Sequence, residues 1–320
     1  MVESHGVHDD RLLTPGQTCW RTARADQFAP IIDAADYFRL VKAAMLRARH
    51  RIVLVGWDFD SRVTFERGEK TLPGPNQLGA FLYWMVWKRP SLDIYVLKSN
   101  LRLLPAFDGL WFALTPVSLL NQISSRRLHF AIDGAHPIGS VHHQKIVVVD
   151  DAVAFCGGID LTLERWDTPA HHDDNRHRRT AGRSYGPRHD VGLAVDGAAA
   201  RALGEQALAR WQTATKQSLT QVDAKHSAWP IKLQPNLRNV DVGIARTVPE
   251  LEDRPEVREV EALNLAAIAA ARRTIYVENQ YLASRTIVEA LAARLREDDG
   301  PEIVIVERRG AAMGRDTTSG

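Results

Sequence analysis

An α/β fold, a layered sheet flanked by helices, is what this chain of 320 residues predicts. Strand-length apolar runs alternate with helical stripes from Ala34 onward, the pattern of a sheet covered by helices. The order helix, strand, helix, strand then occurs twice, over 34–97 and again over 257–306, which suggests a weak internal duplication. A chain of this length buries a full core and has room for two domains.

The elements follow in order. Ala34, Phe38, Val41, Met45 and Ala48 form an apolar stripe that predicts a helix over 34–49. A buried strand is expected over 52–55, a second helix over 77–87 and a second strand over 92–97, with Pro73, Pro75 and Pro90 in the flanking loops. Strands are expected at 127–132, 141–149 and 153–156. Between Asp167 and Pro187 aliphatic residues nearly vanish. His171, His172, Asp173, Asp174 and His177 sit there among Arg176, Arg178, Arg179 and Arg183. Mixed His and Asp can hold zinc, but the irregular order and crowding arginines favour a solvated surface loop, and no metal or other cofactor is expected. A strand at 191–195, the turn Asp196-Gly197 and a helix over 198–216 complete a first unit. Residues 218–250, with Pro230 and Pro235, read as a connection, and 251–320 as a partial second unit. The boundaries drawn are 1–30 for an N-terminal extension and 31–217 for the first unit.

Composition narrows the class. A net charge of +2 gives no reason to expect nucleic acid or an anionic membrane as the main partner. Two cysteines, Cys19 and Cys156, make no disulfide framework. Residues 1–10 lack the apolar core of a secretory signal, and no run approaches the roughly 18 apolar residues of a spanning helix. A cytoplasmic protein of unknown oligomeric state is expected, meeting any lipid substrate by transient contact at a membrane surface.

The chemistry concentrates in His143-Gln144-Lys145, followed by Ile146-Val147-Val148-Val149 and Asp150. Alternate residues of a strand share a face, so His143 and Lys145 point the same way. They offer a nucleophile beside a fixed positive charge, as attack on a phosphodiester requires. Asp150 has the opposite parity, and a structural role is expected for it first. His142 also faces away, as a packed or hydrogen-bonded neighbour. Gly157 and Gly158 suit either a tight turn or close approach of the backbone to a ligand.

These residues resemble the signature of the phospholipase D superfamily, His-x-Lys-(four residues)-Asp followed by a Gly-Gly turn. Leu54-Val55-Gly56-Trp57-Asp58-Phe59-Asp60, Gly158-Ile159-Asp160-Leu161, Arg165-Trp166-Asp167-Thr168-Pro169, Arg188-His189-Asp190-Val191 and Ile275-Tyr276-Val277-Glu278-Asn279-Gln280-Tyr281 extend the likeness over roughly 18–305. The resemblance implies a phosphodiesterase or phosphatidyltransferase acting on a phospholipid through a phosphohistidine. His143 is then the nucleophile or its partner, Lys145 binds the phosphoryl oxygens, Asp190 orients the histidine, and Asp150 joins the catalytic set as the signature's aspartate. Asp160 matches a polar position near the phosphate, with Gly157 and Gly158 beside it. Glu278 and Gln280 are candidate substrate contacts, with helix capping as the competing explanation.

No other His-x-Lys occurs in the sequence. Carried onto the second unit, the spacing of the first puts a second histidine at about position 366. The expectation is a front portion of a two-motif enzyme, truncated and weak or inactive alone. Two other readings fit: a single-motif nuclease that pairs across a dimer axis, and a phosphoester-binding remnant without turnover.

Overall fold

Ile146–Val149, four β-branched residues buried on both faces, form a strand near the middle of an eight-stranded sheet. The computed structural model in which they lie describes residues 12–100, 110–111, 115–138, 140–251 and 254–307. The expectations for the polar start at 1–10 and for the tail beyond residue 307 concern residues outside those described.

The chain opens with β1 (Arg21–Ile32), α1 (Ala34–Met45), β2 (Arg51–Gly56), α2 (Leu78–Lys88) and β3 (Asp93–Ser99). The short β4 (Leu110–Trp111) and β5 (Thr115–Pro116) pair with each other, and α3 (Val117–Ile123) leads to β6 (Leu128–Asp133). Next come the central β7 (Ile146–Val149) and β8 (Val153–Gly157), then a two-stranded ribbon of β9 (Arg179–Thr180) and β10 (Arg183–Ser184). β11 (Val191–Asp196), the long α4 (Gly197–Thr215) and β12 (Leu237–Ile244) follow. The sheet runs β12-β1-β11-β8-β7-β2-β3-β6. β2, β3 and β6 are parallel; β7 is antiparallel to both β2 and β8.

Parity along β7 assigns its faces. Val147 and Val149 join Phe38, Val41 and Met45 of α1 and Phe81 and Met85 of α2 in one core cluster. Val148 turns to α4, where a Cβ added at Gly204 would lie 3.5 Å from its Cγ1. The layered α/β architecture expected from the alternation is therefore present, with α1 and α2 on one face and α4 on the other.

Two compact units divide the chain: residues 23–242 with 249–255, and residues 1–22 with 243–248 and 256–320. The strand β1, which the sequence-drawn boundary at residue 30 splits, lies in the central sheet. The smaller unit holds β13 (Thr247–Val248) paired with β14 (Val257–Arg258), then α5 (Glu259–Ala270), β15 (Thr274–Asn279), α6 (Arg285–Arg294) and β16 (Glu302–Glu307). β15 and β16 are parallel, as β2 and β3 are, so the repeated helix-strand-helix-strand order has the same pairing both times. Ile268, Ile275 and Leu291 form its small core.

One strand is shorter than expected. Residues 141–145 are irregular, and β7 begins only at Ile146. On one side Ile146 already faces Val55, with β2 ending one residue later; on the other it faces Cys156, with β8 ending one residue later. Beyond Ile146 there is no backbone ladder to join. Of the elements without a sequence-based expectation, α3 fully buries no residue and meets the core through the partly buried Val117 and Leu120.

Asp150 lies at the other end of β7, at φ 53° in the turn to β8. Its buried carboxylate accepts from the amides of Arg49 at 2.6 Å, His50 at 2.9 Å and Arg51 at 2.6 Å. Five residues of extended chain separate it from Lys145, roughly 16 Å. The signature's aspartate is therefore corrected from a catalytic to a structural residue that ties β7 to the start of β2. Asp150→Ala should leave three amides without their acceptor and lower stability by about 3 kcal/mol in a denaturant titration. The folded fraction should keep the wild-type rate of His143 modification by an acylating reagent.

Candidate active site

Where β7, β2 and β8 end together, their flanking residues converge. Lys145, immediately before β7, is buried, and its ammonium lies 3.0 Å from Asp160 Oδ2. The same ammonium donates to the backbone carbonyl of His143 at 3.0 Å. Asp160, three residues past β8, is 2% exposed and accepts through Oδ1 from the Trp57 amide at 3.0 Å. One buried ion pair thus joins the chain ahead of β7 to the segments that follow β2 and β8.

His143 lies above this pair. Its ring centroid is 5.7 Å from that of Trp57, at 48°, while the residue keeps an exposed face. His143 and Lys145 do share a side, as alternation requires, although no ladder holds them. His142 and Gln144 point the other way: the His142 ring bonds Ala135 O at 2.9 Å, and Gln144 Oε1 accepts from Arg210 on α4.

Electrostatics suit a nucleophile. Partial burial first, and then the Lys145 charge, lower the His143 pKa, against the opposing pull of Asp160. The imidazole is therefore neutral, with a free lone pair, at neutral pH and somewhat below. Burial also lowers the Lys145 pKa, and Asp160 is the main group resisting that shift.

Asp190 immediately precedes β11, beside the Gly-Gly turn. A Cβ on Gly158 would lie 2.0 Å from Asp190 Oδ1, and one on Gly157, at φ 151°, 2.5 Å from Val191 O. These glycines are needed for close approach, but the approaching groups are a carboxylate and a strand of this chain. Burial raises the Asp190 pKa, with Lys145 and then Arg165 opposing. Asp190 Oδ1 accepts from the Val191 amide at 2.8 Å, and among the described residues no hydrogen bond joins Asp190 to the His143 ring. Asp190 thus belongs to the cluster through its charge.

Glu278 is the penultimate residue of β15 and Gln280 directly follows the strand; both belong to the smaller unit and are exposed, with Gln280 Nε2 donating to the Tyr281 hydroxyl at 3.2 Å.

Arg165 joins these groups from the segment Arg165-Trp166-Asp167, where no local pattern marks it. It acts electrostatically on His143, Lys145 and Asp190 together. Among the described residues its guanidinium has no hydrogen bond or ion pair. Trp57 was legible as the residue straight after a buried strand, where α/β folds collect ligand contacts.

The polar loop after Asp167 is mostly exposed, as a surface loop is, but it is anchored from within. Arg178 is 1% exposed and pairs with Asp167 at 3.1 Å. His171 folds back, so that Asp33, His171 and His189 bring one ligand atom each within 4.8 Å of one another. Asp33 Oδ2 is buried and 3.2 Å from His171 Nε2, yet takes part in no hydrogen bond. His171 Nδ1 lies 3.2 Å from Asp167 Oδ2, an arrangement that leaves Nε2 directed at Asp33 and His189. One carboxylate oxygen and two imidazoles could hold a divalent cation such as zinc. His172, Asp173, Asp174 and His177 are not in this trio.

A phospholipase D family profile matches residues 124–289, just over half of the chain. The chain belongs to the phospholipase D family. Phospholipase D alpha 1 of Carica papaya is 28% identical over 314 residues, covering 74% of this chain and 38% of that protein. Phospholipase D1 of Schizosaccharomyces pombe is 27% identical over 182 residues, covering 50% of this chain and 12% of that protein. The chain thus spans well under half the length of these relatives. Among solved structures, phosphatidylserine synthase of Haemophilus influenzae matches with a TM-score of 0.52 at 13% identity, over 89% of this chain and 63% of that one, a likeness of fold. No helix among the described residues is long and apolar enough to cross a membrane.

The cation capacity of Asp33, His171 and His189 is checked by thermal unfolding with added zinc. Binding to the folded state alone adds about 2.7 kcal/mol at a hundredfold excess over Kd. The melting temperature should rise by several degrees and Asp33→Asn should remove the rise; an equal rise in that variant would place the ion elsewhere.

Proposed function

We propose that this protein is a phosphodiester-cleaving member of its family, with His143 as nucleophile and a phospholipid phosphodiester as substrate. The observation that carries the reading is the exposed His143 ring, packed against Trp57, beside a buried Lys145 ammonium fixed by Asp160. The lone pair of His143 forms a bond to phosphorus while the bond from phosphorus to the leaving oxygen breaks. Negative charge gathering on the phosphoryl oxygens is offset by Lys145, with Arg165 as a second cation. Water or an acceptor alcohol then bonds to phosphorus, losing its proton to solvent, as the bond from nitrogen to phosphorus breaks and frees the imidazole. Asp190 contributes by balancing the charge of Lys145. Gly157 and Gly158 let Asp190 sit close, and Asp160 meets the phosphate region through Lys145 alone. Substrate contact by Glu278 and Gln280 remains part of the proposal, because Glu278 stands near the C-terminal end of a parallel strand pair. The phospholipid class is supported by the relatives named phospholipase D.

The leaving alcohol needs a proton. The resemblance assigns that to a second histidine, and no second His-x-Lys occurs in this sequence. Turnover of natural phospholipids by these 320 residues alone should therefore be slow. A p-nitrophenyl phosphodiester, whose leaving group departs unprotonated, bypasses that need. Mixed with the purified chain, it should release a burst approaching one equivalent of nitrophenolate and leave a phosphoryl group on His143, found by mass spectrometry under alkaline conditions. His143→Ala should abolish both. A burst that survives this substitution, or phosphorylation at another residue, defeats the assignment.

The acid limb of the burst rate should have its midpoint below the ordinary histidine value of about 6.5. The sign follows from the lowered pKa of His143: the reactive neutral form persists as pH falls through 6.5 and disappears only below it. A midpoint above 6.5 would contradict the charge arrangement described for the site.

A further inference from the structure

The residue between the histidine and the lysine has no role in the chemistry above, yet it is tethered. Gln144 Oε1 accepts from Arg210 Nη1 at 2.9 Å and from Gln206 Nε2, one helical turn earlier on α4, at 3.4 Å. Arg210 is 5% exposed; its Nε donates at 2.9 Å to Asp133 Oδ2, and its Nη2 donates to the same oxygen. Asp133 ends β6, is fully buried, and accepts from the Ala135 amide at 2.9 Å. His142 completes the arrangement: its amide donates to Ser99 Oγ at 2.9 Å and its ring bonds Ala135 O. Burial tends to raise the Asp133 carboxyl, but the Arg210 guanidinium and the Ala135 amide outweigh it and hold the group below its usual range. Burial and then Arg210 push His142 down to about 4, so its ring is neutral and does not contest the pair.

We infer that Arg210, acting through the side chain of Gln144, is the positioning residue for His143. The segment 141–145 has no ladder partner, so ordinary strand pairing does not locate the nucleophile. Side chains do so instead. His142 and Gln144, on either side of His143, are anchored toward β3, β6 and α4, while Lys145 holds the His143 carbonyl from the opposite side. With both neighbours fixed, the imidazole is presented against Trp57 although its own ring has no hydrogen-bond partner among the described residues. A network that served only to satisfy buried Asp133 would need Arg210 but not Gln144. The inference rests on the proposed role of His143 only for its kinetic consequence.

The test separates those two parts. Gln144→Met keeps the Asp133–Arg210 pair and cuts its link to the motif segment; Gln144→Glu keeps an acceptor oxygen for Arg210. In each folded protein the His143 ring is titrated by NMR and the nitrophenolate burst is timed. Gln144→Met should move the His143 midpoint toward the ordinary histidine value and slow the burst by about 10- to 100-fold, the scale of a displacement near 1 Å. Gln144→Glu should recover most of both. Arg210→Lys should behave as Gln144→Met does, because a lysine cannot bond Asp133 and Gln144 in the same fork geometry. An unchanged midpoint and burst in Gln144→Met would overturn the inference. A wild-type protein without any burst would defeat the proposed function, and the titration shift would still decide the positioning role.

Discussion

The ion pair between Lys145 and Asp160 is the constraint on which the rest of the site depends. Two charges withdrawn from water are costly unless each is satisfied, and loss of one partner costs more than the pair contributes. Here the carboxylate takes a backbone amide from the segment after β2, and the ammonium takes the His143 carbonyl and the second carboxylate oxygen. Three chain segments that have no ladder in common are joined by charge instead. Trp57 reaches the histidine because its own amide is held by that carboxylate. The charge of this aspartate is already matched by the lysine.

Most of the fold was legible because the apolar periodicities were strong. The helices α1, α2 and α4 and the strands β2, β3, β7 and β8 follow from stripes and β-branched runs, with boundaries that move by a few residues. The shared direction of His143 and Lys145 was also legible, since side-chain alternation survives where the ladder stops. The extent of β7 was not: a strand needs partners, and the ends of β2 and β8 cannot be read from residues 141–145. Asp150 shows the complementary case. Its parity excluded it from the cluster, and the structure gives the reason for its presence in three amides at the start of β2.

What could not be read is long-range and polar. Asp33, His171 and His189 are separated by up to 156 residues, and no local pattern announces their meeting. The histidine-rich loop looked solvated because it lacks aliphatic residues, but a buried arginine paired with Asp167 anchors it as an apolar side chain anchors an ordinary loop. Gln144 was equally silent, since nothing in His-Gln-Lys distinguishes a spacer from a tether until Arg210 is placed beside it.

Helix α4 touches the central strand at both ends. Near its middle, Gly204 lies so close to Asp151 that a Cβ would be 2.0 Å from the aspartate Oδ1; six residues on, Arg210 reaches Gln144. Six helical residues rise only about 9 Å, and the extended arginine makes up the remaining span of the strand. The helix therefore works as a calliper whose two jaws are a missing side chain and a long one. A single residue inserted between them would swing one jaw about 100° around the helix axis. Length changes at that place should be far less tolerated than exchanges of the residues in between.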